Sequence, residues 1–110
     1  MAFRSDLDAL ILGVLGRGQM HGYEISKRIN EGALGAVLVK EGQLYPLLHR
    51  LENDGIIEAH WLPQEGKPAR KVYRLTESGT RQLAAKRESW AAFSTGVNLL
   101  LGRGTEAQNG

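Results

Sequence analysis

Between Lys40 and Leu75 the chain carries, with no linker, an apolar-striped helical segment, a glycine stop, a period-two segment and a cationic hairpin tip, an order that few folds accommodate. From Glu41 to Gly55, the residues Leu44, Leu47, Leu48 and Leu51 fall at i, i+3, i+4 and i+7, one face of a helix. The opposite face carries Gln43, Tyr45, Pro46, His49, Arg50 and Asn53. Pro46 fits if the helix begins within Glu41 to Gln43, because a proline near a helix start lacks an N–H that would have had no intrahelical partner. Asp54-Gly55 then ends the helix, glycine entering the left-handed conformation cheaply.

From Ile57 the pattern alternates, with Ile57, Ala59 and Trp61 on one side and Glu58, His60 and Leu62 on the other, as in a half-buried strand. A second strand reads Val72-Tyr73-Arg74-Leu75. Between them Pro63 to Lys71 reads as a loop from its glycine and prolines. Lys67, Arg70 and Lys71 in that loop, and Arg74 after it, have no carboxylate in the run from Gly66 to Arg74 to offset them. A short charge run is often a solvated hairpin tip, but directly after a striped helix it reads as the wing of a winged helix-turn-helix.

The remaining elements complete that plan. Leu7, Leu10, Ile11 and Val14 form a helical stripe over about Asp6 to Leu15, with Ser5 or Asp6 placed to cap it and Gly16-Arg17-Gly18 to end it. A second helix, about Gly22 to Glu31, offers Ile25 and Ile29 to a core. Ala33 to Lys40, apolar but broken by Gly35, reads as an irregular turn. Thr76 and Glu77 open a last helix, in which Leu83, Trp90 and Val97 recur every seven residues and Phe93 and Leu100 form a second row. That is a heptad seam with Lys86 as its poor member, and in so small a chain it calls for a second copy.

The expected fold is therefore mainly α (α+β): a winged helix-turn-helix with a two-stranded wing over residues 1–75, a long dimerisation helix over 76–101 and a disordered tail over 102–110. In such a fold the start of the recognition helix approaches base edges, and the wing lies over the flanking backbone. Gln43 is the candidate base reader, its amide matching adenine bidentately. Tyr23, Lys40, Tyr45, Pro46, His49 and Arg50, with Lys67, Arg70 and Lys71 on the wing, are the other candidate DNA contacts, chiefly to phosphates. Tyr45 has a competing role in packing, and Arg50 in pairing with a carboxylate. Two such helices about 34 Å apart would read a pseudo-palindromic operator in double-stranded DNA.

Several segments also resemble the PadR family of bacterial transcriptional regulators. They are Met20-His21-Gly22-Tyr23-Glu24-Ile25, Gly42-Gln43-Leu44-Tyr45-Pro46-Leu47-Leu48-His49-Arg50-Leu51-Glu52, Asp54-Gly55-Ile56-Ile57 and Tyr73-Arg74-Leu75-Thr76-Glu77-Ser78-Gly79. The resemblance implies a homodimeric winged-helix repressor of the small subclass, with one C-terminal dimerisation helix. It departs from the family at Val39-Lys40-Glu41, where a serine or threonine cap is common. Members that respond to aromatic compounds make Trp90 a candidate contact for an aromatic small-molecule effector, besides its simpler role of sealing the interface.

Other classes find less support. With 110 residues the chain is one domain, and a net charge of +2 does not by itself announce nucleic acid. There is no cysteine, hence no thiolate or disulfide chemistry. His21, His49 and His60 lack metal-ligand or catalytic spacing, and Gly16-Arg17-Gly18 with Gly22 is a poor dinucleotide loop, so neither an enzyme nor a cofactor or metal site is expected. The Leu7 to Leu15 run is too short to span a bilayer, and the expected location is the cytoplasm. The competing class is a winged-helix module that binds protein without specific DNA binding.

Overall fold

The computed structural model describes residues 3–32 and 38–102, with side chains from residue 7 onward. Its elements run α1 (Phe3–Leu15), β1 (Met20–His21), α2 (Gly22–Gly32), α3 (Glu41–Asn53), β2 (Ile57–Gln64), β3 (Lys67–Leu75) and α4 (Glu77–Leu101). One core joins them, and Ile11, Leu12, Ile25, Leu44, Leu48 and Ile57 are fully enclosed in it. Burying each such side chain is worth about 1.5–3 kcal/mol, which makes the stripe of α3 the anchor of the helix-turn-helix.

The helix α1 starts earlier than its residue pattern suggests, so Ser5 and Asp6 lie inside its first turns rather than before them. Its innermost residues are Ile11, Leu12 and Leu15, while Leu7, Leu10 and Val14 are only half-buried. The six apolar residues cover a wider arc than one core can enclose: of the expected stripe only Ile11 faces its centre, and Leu7, Leu10 and Val14 lie on its outer part. The Ala33–Val37 part of the expected irregular turn lies outside the described residues, and so does the tail from residue 103.

The recognition-type helix α3 begins at Glu41, as its stripe requires, with Lys40 extended at the N-cap (φ −99°, ψ 156°). Lysine has no acceptor to offer the free N–H groups, so the cap forms from the other direction: the Gln43 side-chain oxygen accepts the Lys40 backbone N–H at 3.2 Å. Pro46 sits inside the helix, past the first turn, and its missing N–H leaves the Gly42 carbonyl without its usual partner. Gly42 is exposed, so solvent can satisfy that carbonyl. At the other end Gly55 takes φ 75°, and the Ile56 N–H closes the turn onto Leu51.

The sheet has three strands, not two, in the order β1-β3-β2, all antiparallel. The extra strand pairs Met20 with Tyr73 and His21 with Val72, and two residues are too few to show a period. The hairpin is also longer than its prolines suggested: pairing runs from Ile57↔Leu75 to Gln64↔Lys67, leaving Glu65-Gly66 as the turn with Gly66 at φ 71°. Pro63 is tolerated because the register breaks between Leu62 and Gln64 and β2 is an edge strand. Trp61 shares a face with Ile57 and Ala59 but is 64% exposed, because the strand outruns the helices that cover its base.

Thr76 caps α4 as its hydroxyl predicts, accepting the Gly79 N–H at 3.1 Å, and its own N–H reaches the Ile56 carbonyl at 3.1 Å. The 25 residues of α4 span about 37 Å, yet Gly79 and Leu83 are its only buried residues. Leu83 therefore belongs to the core of its own domain, against Gly16, and not to an exposed dimerisation seam. Trp90 (55%), Phe93 (49%) and Leu100 (90%) remain exposed, with Val97 half-buried among them. No helix among the described residues is long and apolar enough to cross a membrane.

Candidate nucleic-acid interface

Four elements, β1, α2, α3 and β3, meet at an open cleft lined by His21, Gly22, Tyr23, Tyr45, Arg70, Lys71 and Tyr73. Four of the residues singled out in the sequence, Tyr23, Tyr45, Arg70 and Lys71, thus come together from α2, α3 and β3. The start of α2 forms one wall. There the His21 Nδ1 accepts the Glu24 N–H at 3.2 Å, capping the helix, while the His21 and Tyr23 rings lie nearly parallel, 6.3 Å between centroids. Tyr23 is 61% exposed.

Tyr45 forms the second wall and explains Gly22. A Cβ placed on Gly22 would fall 2.6 Å from the Tyr45 hydroxyl, so the phenol lies against bare backbone and the two helices approach through it. The same side chain is still exposed on its other side. Burial raises the Tyr45 pKa above its ordinary value, helped by the charge of Glu41 and by Tyr73, so its hydroxyl stays a donor throughout the neutral range. Packing and presentation are both served by one ring.

The third wall is cationic, but less so than the run Gly66–Arg74 implies. Arg74 pairs with Glu58 at 2.7 Å, and Lys71 lies 3.8 Å from Glu52 and 5.5 Å above the Tyr73 ring. Both acids stand on other elements, which is why the run itself contains none. Lys67 and Arg70 form no ion pair among the described residues and carry the free charge of the hairpin. Along α3, Lys40, Gln43, Pro46 and His49 are exposed outside the cleft. Arg50 is held away from it by both oxygens of Asp8 on α1, at 2.9 and 3.1 Å, the carboxylate pairing weighed for it above.

His21, Gly22 and Tyr73 were not among the candidate contacts. The small glycine beside an exposed tyrosine, Gly22-Tyr23, was the available signal for a close helix approach. Nothing local in the sequence reveals Tyr73, which reaches the cleft only through strand pairing with Met20 and Ala59. No group of three or more histidine, cysteine, aspartate or glutamate side chains able to hold a metal occurs among the described residues.

Residues 11–85 match the Transcriptional regulator PadR-like family. A protein of Lysinibacillus sphaericus without an assigned function is 32% identical over 89% of this chain and 90% of its own length. The negative transcriptional regulator PadR of Bacillus subtilis is 36% identical, over 66% of this chain but 40% of that protein. Among solved structures, a PadR-like transcriptional regulator from Bacillus cereus superposes with a TM-score of 0.79 at 35% identity, covering 89% of this chain and 93% of that one. Bacillus subtilis PadR in complex with operator DNA superposes with a TM-score of 0.66 at 34% identity, covering 72% of this chain and 44% of that one. The helix-turn-helix, hairpin and long terminal helix described above are thus shared with these regulators, and the chain belongs to the PadR-like family of transcriptional regulators, which are not enzymes.

Proposed function

We propose that this regulator is a homodimeric, sequence-specific repressor that sets α3 of each protomer into a major groove and its β2–β3 wing on the flanking backbone. The observation that carries the reading is the convergence of Tyr23, Tyr45, Arg70 and Lys71 on one cleft beside the exposed start of α3. Hydroxyl and cationic donors so grouped suit phosphates, and base edges fall to the α3 residues. The relative solved in complex with operator DNA, 34% identical to this chain, supports DNA as the partner. Trp90, Phe93 and Leu100 supply the apolar face that a second α4 would cover, placing two recognition helices on a pseudo-palindrome.

The test is fluorescence anisotropy on the DNA upstream of the gene and on scrambled DNA over a salt series. Site-specific binding whose log affinity falls by about 0.9 per phosphate contact per log unit of salt supports the reading. Equal, weak and salt-insensitive binding to both DNAs overturns it and favours a protein-binding winged helix.

Release by a flat aromatic molecule is a second part of the proposal. It rests on the exposed Trp90 and Phe93 rings, 5.6 Å apart, which near a two-fold axis would form an apolar stacking slot. A Trp61→Phe variant leaves Trp90 as the emitter, and a flat fluorescence titration with planar aromatics would count against the slot.

A further inference from the structure

The helix start at Lys40 limits what Gln43 can say to a base. Lys40 is the N-cap residue of α3, and its side chain cannot accept a hydrogen bond. The oxygen of the Gln43 amide instead turns back and accepts the Lys40 backbone N–H at 3.2 Å. A carboxamide has one acceptor end and one donor end, and bidentate pairing with adenine needs both to face the same base edge. With the oxygen committed to the helix start, the donor end, the NH2 group, is what this exposed side chain offers a groove.

We propose that Gln43 reads guanine, not adenine, in each half-site, because its amide is clamped as a capping arm and presents only donors. This rests on the DNA reading proposed above. In the major groove guanine places two acceptors, N7 and O6, side by side. Adenine sets its own N6 donor beside N7, thymine offers one acceptor, and cytosine offers a donor. Two N–H groups therefore fit guanine best and meet repulsion at cytosine.

Gln43→Glu separates the two jobs of the side chain. Glutamate three residues after an N-cap is the usual capping-box arm, so the clamp on Lys40 is retained and the helix start stays intact. The group left for the groove changes from donor to acceptor, and the matching base changes from guanine to cytosine.

The experiment is selection from a randomised duplex pool by the full-length wild type and by Gln43→Glu, followed by competition binding with each base at the position that differs. The expected result is guanine for the wild type by about tenfold over adenine. Gln43→Glu should select cytosine there with an unchanged thermal midpoint, at lower overall affinity because its charge meets phosphates. Replacing that guanine by 7-deazaguanine should weaken the wild type several-fold but not Gln43→Glu, whose acceptor is relieved of the N7 lone pair, and the Lys40 amide should remain protected from hydrogen exchange in the complex. Adenine at that position, an unchanged preference in Gln43→Glu, or loss of Lys40 protection on binding overturns the inference while the regulator reading stands. A flat pool for the wild type overturns both.

Discussion

Asn30 bonds both backbone polar groups of Val39: its oxygen accepts the Val39 N–H at 2.7 Å and its NH2 donates to the Val39 carbonyl at 3.3 Å. One side chain near the end of α2 thereby fixes the residue that precedes the cap of α3, and Val39 itself is buried. Replacing Asn30 by alanine leaves a shielded N–H and carbonyl without partners, which should lower stability by about 1–3 kcal/mol. Urea denaturation measures that. Asn30→Asp keeps the acceptor but not the donor and should fall between the two, with DNA affinity following the same order.

Gly22 and Tyr45 should behave as one unit. Gly22→Ala drives a methyl into the phenol and should destabilise the fold by about 1–3 kcal/mol. In a Tyr45→Ala background the clash is gone and alanine is the better helix former, so the same change should become neutral or stabilising by up to about 1 kcal/mol. A double-mutant cycle reads the sign change. Equal effects in both backgrounds would mean that the ring is not what excludes a side chain at Gly22.

At Gly79 the obstruction is backbone. A Cβ there would overlap the Ile56 carbonyl oxygen, which also accepts the Thr76 N–H, and neither group can swing aside. Gly79→Ala should therefore lower stability by about 3 kcal/mol or more. Gly13→Ala, whose Cβ meets nothing, is the control and should not.

The two ends of α4 should respond to different assays. Leu83→Ala opens a cavity in the core of its own domain and should lower stability by about 2–5 kcal/mol. Trp90→Ala with Phe93→Ala removes exposed rings, so it should weaken self-association in sedimentation equilibrium while thermal unfolding of the dissociated chain changes little. A dimer unaffected by the double variant would place the interface elsewhere.

On the wing, Arg70→Ala should reduce the salt slope of DNA binding by about one phosphate contact per protomer. Arg74→Ala should change it less, because Arg74 is already paired with Glu58. Identical slopes for both would show that the hairpin's free charge is not what meets the backbone.

These residues also mark where sequence reasoning reaches and stops. The burial of Leu44, Leu48 and Leu51 is legible because a period of 3.6 and a glycine stop are local signals, and so is the Thr76 cap of α4. β1 is not legible because two residues carry no period, and the outer hairpin is masked because the prolines at its edge carry a loop signal. Leu83 obeys the heptad yet packs inward, since periodicity gives a face but not the neighbour that covers it. The interface is half legible: the chemistry of Tyr23, Tyr45, Arg70 and Lys71 shows in the residue types, whereas the Gly22 contact and the neutralisation of Arg74 depend on segments distant in sequence, and the clamp on Gln43, though local, follows from a lysine cap that carries no acceptor.

The hairpin has a last consequence for how copies of this chain can meet. A sheet with an open flank invites strand-to-strand addition, which has no natural stopping point. Here one flank is the two-residue β1, and the other is β2, interrupted by Pro63 and a break in register. Pro63 and the break in register interrupt the open edge of β2 after Leu62, which shortens the template it offers a neighbour's backbone. In the α4 pairing proposed above, association would close on itself and give a finite particle with its two α3 helices at a fixed spacing, and not a fibre.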